Sequence, residues 1–167
     1  MKLSNLSKIK PISIEGFFFR IVNKKYKDRI LSTKGSEKYG GRYNEPGVSG
    51  VLYLSESEEV CKAEIKRKDP NFLQPYVIGK IKVKLNKVLD LTSEENLKKL
   101  GLKREDLIKE GSGGGYKITR KIAREVFKLK FEALLVPSIT GKGNNLVVLL
   151  LNIPDSRKPK LNEIYRM

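Results

Sequence analysis

The sequence predicts an α+β fold in a single domain. Segments typical of strands and of helices follow one another without the regular strand–helix–strand rhythm of a parallel α/β sheet. A chain of 167 residues is long enough to bury one hydrophobic core. The longest apolar run, Leu146 to Leu151, is far shorter than the ~18 residues that cross a bilayer. We expect a polar lead-in over 1–15, a folded domain over 16–153 and a polar C-terminal tail over 154–167.

The first expected strand runs from Phe17 to Val22, because aromatic and β-branched residues fill it. Alternation places Arg20 on one of two otherwise apolar faces. A guanidinium in such a place needs a partner, since an unpaired buried charge is costly. That partner is either an acid of the fold, in a salt bridge, or a bound ligand.

A second short strand, Val51 to Leu54, leads into a helix. Val51 and Tyr53 share one face of this strand. The segment 55–58, Ser-Glu-Ser-Glu, matches a capping box, and the helix is expected to reach about Lys68. Val60, Cys61 and Ile65 form its apolar stripe, and Glu64 lies within that stripe. An acid on an apolar stripe indicates a functional site.

The second half of the chain continues the mixture of strands and helices. The expected elements are a strand over 76–85, a helix from Thr92 to Gly101, a helix over 118–129, and strands over 131–136 and 146–153. The run 111–115, Gly-Ser-Gly-Gly-Gly, is expected to be a flexible loop or lid. It matches neither the P-loop nor the dinucleotide-binding pattern, because the residues that follow it are wrong for both.

Histidine is absent and Cys61 is the only cysteine. Nucleophile systems that depend on histidine are therefore excluded, and so are histidine metal sites. One cysteine provides neither a disulfide framework nor a zinc-binding pattern. We predict a cytoplasmic protein without a bound metal, in which carboxylates, tyrosines, lysines or the substrate handle protons.

The net charge of +16 leaves several partners open. It suits nucleic acid, a small polyanion such as a nucleotide, or an acidic protein. Most of the 35 basic residues are lysines spread along the chain, which is also typical of a solvated surface. No aromatic and basic pattern of an RNA-binding sheet accompanies them.

The segment from Gly40 to Glu64 is the most informative part of the chain. Gly40 and Gly41 allow close approach of the backbone to a ligand, and Arg42 offers a rigid fork for phosphate oxygens. The alternative is a tight turn that carries an exposed arginine.

This segment resembles the RES domain family. The shared motifs are Gly-Gly-Arg-Tyr-Asn-Glu-Pro-Gly over 40–47, Leu-Tyr-Leu-Ser-Glu-Ser over 52–57, and Ala63-Glu64. Further similarity lies in Phe-Arg-Ile-Val over 19–22, Leu-Val-Pro-Ser over 135–138 and Asn-Leu-Val over 145–147, so the resemblance covers about 15–153. Tyr43 stands where the family often has tryptophan, and 90–116 has no strong match.

The resemblance implies a fold and an activity. It implies an ADP-ribosyltransferase-like core, with a split β-sheet of mixed or antiparallel strands and surrounding helices. It implies an NAD-degrading toxin of a toxin–antitoxin pair, with an Xre-like antitoxin as partner and contact with nucleic acid only through that antitoxin. The family's functional residues map onto Arg20, Arg42, Tyr53, Glu64 and Ser138.

The chemistry of these residues is consistent with NAD as the substrate and with no resident cofactor. Arg20 and Arg42 can bind a pyrophosphate, and Tyr53 can stack on nicotinamide. Cleavage of the nicotinamide–ribose bond builds positive charge on the sugar, which Glu64 can stabilise. Ser138 can donate a hydrogen bond to the carboxamide or ribose, or it can cap a turn. Nicotinamide leaves as a neutral group, so no strong general acid is needed.

Three functions remain open from the sequence. The first is an NAD-degrading enzyme that transfers ADP-ribose to inorganic phosphate, as a phosphorylase, or to water, as a glycohydrolase. The second is an ADP-ribosyltransferase that modifies a protein or nucleic acid. The third is a basic nucleic-acid-binding module without catalysis. A homodimer or a toxin–antitoxin hetero-oligomer is compatible with each of the two enzymatic functions.

Overall fold

A computed structural model describes residues 1–48, 50–109 and 116–167. The described residues form a mixed six-stranded sheet with helices around it, which confirms the α+β prediction. The strands are β1 Ile12–Asn23, β2 Val51–Ser55, β3 Tyr76–Asp90, β4 Ala133–Pro137, β5 Asn144–Leu149 and β6 Lys160–Arg166. The α-helices are α1 Lys34–Tyr39, α2 Glu58–Lys68, α3 Glu94–Leu100, α4 Arg104–Ile108 and α5 Lys117–Lys128. Short 3-10 helices occupy Leu3–Lys8, Lys24–Arg29, Leu150–Asn152 and Asp155–Arg157.

The strands pair in the order β1-β2-β5-β4-β3-β6, and β1 also pairs with β3. Five strands therefore close into a ring, and β6 pairs with the first half of β3, on the edge that pairs further along with β4. The β3–β4 pair is parallel and the other pairs are antiparallel. In the described chain β1 and β2 share a single register pair, Phe19 with Ser55, whereas β1 follows β3 almost along its whole length. The ring is thus splayed between β1 and β2.

Two hydrophobic clusters hold the fold together. The first joins one face of β2, β4 and β5 to α3, α4, α5 and the first 3-10 helix. The second takes buried side chains from all five strands of the ring, as expected when alternate residues point into a small barrel. Val51 and Tyr53 face the first cluster, while Leu52 and Leu54 face the second. The predicted sharing of a face in β2 is confirmed.

The structure differs from the sequence expectation at both ends of the chain. In the lead-in over 1–15, Leu6 is fully buried and β1 begins at Ile12. In the tail over 154–167, β6 pairs with β3 from Lys82 to Val77. Every residue of β6 except Tyr165 is exposed, so the strand lacks the alternation that reveals a buried strand in sequence.

Two predicted elements also have different limits. The strand expected over 146–153 ends at Leu149, which pairs with Val51, the first residue of β2. The next residues, Leu150–Asn152, form a 3-10 helix. The helix expected to follow Ser55 begins at Glu58, because Ser55 still belongs to β2 and Ser57 is the N-cap. Among the described residues, no helix is long and apolar enough to cross a membrane.

Candidate active site

A cavity of about 190 Å³ lies at the splayed part of the ring. Its walls come from β1, β2, α2 and Asn145 near the start of β5. The divergence of β1 from β2 therefore creates the opening. The lining residues are Phe19, Arg20, Ile21, Tyr53, Leu54, Ser55, Cys61, Glu64, Ile65, Lys68 and Asn145. Three of the five residues predicted for the site, Arg20, Tyr53 and Glu64, therefore face one cavity.

Glu64 lies on α2, and its position is set by the start of that helix. The Ser57 hydroxyl accepts a hydrogen bond from the Val60 N–H at 3.3 Å, which caps the helix. Glu64 is half-buried, and its Oε1 accepts hydrogen bonds from Ser138 Oγ at 2.8 Å and Asn145 Nδ2 at 2.5 Å. The acid on the apolar stripe is therefore a carboxylate at the cavity wall, oriented by two hydrogen bonds.

Ser138 lies immediately after β4 and is fully buried. Its N–H donates to the Gly143 carbonyl at 2.9 Å and closes the β4–β5 turn. Its hydroxyl accepts from the Thr140 N–H at 3.2 Å and also contacts Thr140 Oγ1 at 2.9 Å. Ser138 thus both caps the turn, as the sequence alternative proposed, and donates to Glu64.

Arg20 extends from β1 and lines the cavity. Its Nη1 donates to the carbonyls of Ile30 and Ser32 at 2.8 and 3.0 Å. Burial lowers the pKa of the guanidinium, while the nearby Cys61 acts in the opposite direction. An arginine pKa begins so far above neutrality that Arg20 remains a cation. The guanidinium of Arg20, which the sequence predicted to need a partner, is therefore oriented by two backbone carbonyls.

Tyr53 lines the cavity, packs against the first hydrophobic cluster, and has its hydroxyl bound by two neighbours. The hydroxyl accepts from the Tyr43 N–H at 3.0 Å and donates to Asn44 Oδ1 at 2.7 Å. Burial raises the pKa of Tyr53 to about 12, so the phenol is neutral. Its predicted stacking on nicotinamide remains a prediction.

The glycine pair before Arg42 lies close to neighbouring groups of the fold. A Cβ on Gly41 would lie 2.6 Å from the Tyr53 hydroxyl, and one on Gly40 would lie 2.8 Å from Pro46 Cδ. Gly40 also has φ +68°, a left-handed conformation that favours glycine. The close approach therefore serves the turn and Tyr53, and an approach of this backbone to a ligand remains a prediction.

Arg42 is not among the residues that line the cavity. Its Nη1 donates to the carbonyls of Leu107 and Lys109 at the end of α4, at 3.1 and 2.5 Å. The guanidinium lies 4.8 Å from the centre of the Tyr116 ring, and the Arg42 carbonyl accepts from the Thr119 hydroxyl. Arg42 thus joins the end of α4 to the start of α5. Its predicted contact with a pyrophosphate remains a prediction.

The sequence did not single out Asn145, Ser55 or Cys61 as cavity residues. The pair Asn144-Asn145 before an apolar strand is the signal that points to the first of them. Burial raises the pKa of the Cys61 thiol to about 11, so it is a poor nucleophile at neutral pH. The predicted loop at 111–115 lies outside the described residues.

A second cavity, of about 340 Å³, lies beside α5. Its lining is mostly apolar, and its acid, Glu45, forms an ion pair with Arg124 at 2.6 Å. A carboxylate already neutralised by an arginine is poorly suited to stabilise a developing cation. No group of three or more Cys, Asp or Glu that could hold a metal ion occurs among the described residues. The cavity around Glu64 is therefore the candidate active site.

The family model of the RES domain matches residues 17–164 of the chain. The chain belongs to the RES domain family. This establishes the family that the sequence motifs resembled.

Curated relatives and a solved structure extend the comparison. The chain is 26% identical over 121 residues to the NAD(+) phosphorylase MbcT of Mycobacterium tuberculosis, which covers 68% of this chain and 63% of that relative. It is 30% identical over 130 residues to the probable NAD(+) phosphorylase Rv3189 of the same organism, covering 74% and 60%. The chain thus matches less than two thirds of the length of these relatives.

The fold is similar to that in the crystal structure of the M. tuberculosis MbcT–MbcA toxin–antitoxin complex. The TM-score is 0.83 at 21% sequence identity, and the match covers 99% of this chain and 91% of that chain. This likeness supports the same arrangement of strands and helices.

Proposed function

We propose that this protein is an NAD-degrading toxin that cleaves the nicotinamide–ribose bond by phosphorolysis. The observation that carries the proposal is the Glu64 carboxylate, held by neutral donors at a cavity that also contains Arg20 and Tyr53. The names of the MbcT and Rv3189 relatives support the same reaction.

The reaction needs one stabilised cation and no resident cofactor. The bond between ribose C1″ and the nicotinamide nitrogen breaks, and its electron pair leaves with neutral nicotinamide. Positive charge develops on the ribose, and the Glu64 carboxylate stabilises it. An oxygen of inorganic phosphate then forms a bond to C1″, which gives ADP-ribose-1″-phosphate. The neutral thiol of Cys61 takes no part as a nucleophile.

The size and walls of the cavity support a proposed placement of NAD. About 190 Å³ is smaller than the ~300 Å³ at the lower end of drug-sized sites. The nicotinamide and its ribose would therefore enter, with the ring stacked on Tyr53, while the rest of the dinucleotide lies across the opening. Arg20 and Lys68, both at the wall, supply positive charge for phosphate oxygens. Ser138 would act through Glu64.

The test is product analysis. Purified protein is incubated with NAD, with and without inorganic phosphate, and the products are identified by mass spectrometry. We expect nicotinamide release that depends on phosphate, together with ADP-ribose-1″-phosphate. Release with ADP-ribose alone would replace phosphorolysis by hydrolysis. The absence of nicotinamide release in both conditions would reject the enzyme.

A macromolecular acceptor is the second candidate, and the net charge of +16 favours it because many acceptors are acidic. NAD labelled in the adenylate moiety, added with lysate, would then leave its label on protein or nucleic acid. Under the phosphorylase proposal, the label stays in small molecules.

The proposed partner is an antitoxin protein with an Xre-like DNA-binding part, acting with this chain in the cytoplasm, where NAD is available. The similarity of the fold to a chain of the MbcT–MbcA toxin–antitoxin complex supports a protein partner. The basic surface would favour an acidic face on that partner. Co-expression with the neighbouring gene product, followed by purification of a stable complex, would test this pairing.

A further inference from the structure

The two donors to Glu64 both end on the same oxygen. Ser138 Oγ and Asn145 Nδ2 bind Oε1 at 2.8 and 2.5 Å. Within the described parts of the chain, no hydrogen bond to Oε2 is present. One oxygen therefore anchors the carboxylate, and the other is left for a ligand in the cavity.

The direction of the Asn145 amide is itself fixed. The Ser55 hydroxyl donates to Asn145 Oδ1 at 2.8 Å, so Nδ2 is the end that faces Glu64. A flipped amide would place its carbonyl oxygen against a carboxylate oxygen, and two acceptors would then meet. Ser55 thus determines which end of Asn145 the carboxylate encounters.

The sheet, rather than a loop, sets these positions. Ser55 of β2 is the direct register partner of Asn145 in β5, and Asn145 in turn is the partner of Val136 in β4. Ser55 also forms the single pair with Phe19 of β1 in the described chain. The row of residues that closes the ring therefore also orients the acid.

We propose that Asn145 is a positioning residue for the cleavage reaction, oriented by Ser55 and acting through Glu64. It holds Oε1 so that Oε2 faces the ribose. This inference rests on the proposed function, because the role is defined by that reaction. Neither residue was identified from the sequence.

The first experiment measures kcat and KM for NAD in three variants. In Asn145→Asp the shape is kept but a carboxylate faces Glu64, and we expect a loss in kcat of about 100-fold, as for a catalytic group displaced by about 1 Å. Asn145→Ala should lose about tenfold, and Ser55→Ala a few-fold. KM should change less than about twofold throughout, because the substrate contacts remain.

A neighbouring asparagine gives the matched control. Asn144 Nδ2 donates to Glu56 Oε2 at 2.9 Å, in an exposed pair outside the cavity. Asn144→Ala should retain kcat within about twofold. Wild-type kcat in folded Asn145→Asp would overturn the proposal, and so would equal losses at the two asparagines.

A double-mutant cycle separates positioning from general packing. If Asn145 acts through Glu64, Asn145→Ala costs nothing further in a Glu64→Gln background. Equal fold losses in both backgrounds would assign Asn145 a structural role only and would overturn the proposal.

A measurement that does not depend on activity reveals misfolding of a variant and tests the contact even if the proposed function fails. The Asn145 side-chain amide resonance in a nitrogen–proton correlation spectrum should move in Glu64→Gln and in Ser55→Ala, but not in Glu56→Gln. An inactive wild-type protein that shows these shifts would reject the proposed reaction and confirm the contact. An active protein without them would overturn the positioning inference.

Discussion

Two glutamates of this protein, Glu64 and Glu132, are held in opposite ways. Glu132 is 5% exposed. Its carboxylate accepts hydrogen bonds from both terminal nitrogens of Arg157, at 2.6 and 2.9 Å, and from the Asn86 N–H at 2.6 Å. Glu64 is half-buried at a cavity, and its donors in the described chain are the neutral groups of Ser138 and Asn145. One carboxylate is neutralised by a cation, whereas the other is oriented with its charge uncompensated by these contacts.

The difference teaches how to separate a structural acid from a functional one. A buried carboxylate paired with arginine links distant segments, here the start of β4 with the 3-10 helix at 155–157. Its charge is already satisfied and has little left for a ligand. A carboxylate held by neutral donors keeps its negative charge for a cation that forms during a reaction.

The largest expected effect is on the reaction rate at Glu64. Glu64→Gln should lower kcat for NAD cleavage by about 10²–10³, the usual loss when a preorganised electrostatic group is removed. Its thermal unfolding should stay close to wild type, since glutamine can still accept from Ser138. Glu56→Gln, at the exposed acid bound by Asn144, is the control and should remain active. Near-full activity of Glu64→Gln would contradict a functional role for Glu64.

Next in size is the effect on stability at Glu132. Glu132→Ala leaves Arg157 without its acid and should lower the free energy of unfolding by about 3 kcal/mol, the lower end for a broken buried pair, because Arg157 is partly exposed. Urea denaturation measures it. Glu163→Ala removes the exposed pair with Lys80 and should cost less than about 1 kcal/mol. Equal losses at the two acids would show that Glu132 is not structural.

The same pair predicts how stability depends on pH. Burial acts to raise the pKa of Glu132, but the hydrogen bonds from Arg157 and the Asn86 N–H outweigh it, and the pKa is lowered. A lowered pKa in the folded state gives stability that is present above the unfolded value of about 4.3 and is lost as pH falls through the folded value. Acid titration of wild type should show this loss, and Glu132→Ala should show less of it.

The smallest expected effect tests whether a cavity residue can also be structural. Tyr53→Phe keeps the ring but removes the hydroxyl that links Tyr43 and Asn44. The partners left unpaired should cost about 1–2 kcal/mol of stability, while kcat/KM for NAD changes only a few-fold. Urea denaturation and steady-state kinetics measure the two. A loss in rate comparable to that of Glu64→Gln would place the hydroxyl in the reaction.

The sequence was sufficient to predict that Glu64 lies on the inner side of its helix, because helical spacing places this acid among apolar residues. It was sufficient for the faces of β2 and of β3, where Lys82 and Lys84 are exposed and Ile81 and Val83 are buried. These predictions depend only on local periodicity.

Other features depend on contacts between distant segments, which local periodicity does not encode. Arg42 bonds to carbonyls 65 and 67 positions away, so its spacing from Gly41 could not reveal its place. Asn145 gains its role from Ser55, 90 positions away. The strand β6 pairs through its backbone while nearly all its side chains are in solvent, and its sequence therefore looks like a tail.

The single register pair between β1 and β2 in the described chain has a mechanical consequence. β1 is fastened to β3 by eleven register pairs and β2 to β5 by five. One wall of the cleft therefore belongs to the β1–β3 pair and the other to the β2–β5 pair. The two pairs are joined directly at Phe19 and Ser55, and also through β4. A slight change in the curvature of the sheet would alter the width of the cleft without breaking a strand pair elsewhere. The cleft thus lies at the least extensively paired junction of the ring in the described chain.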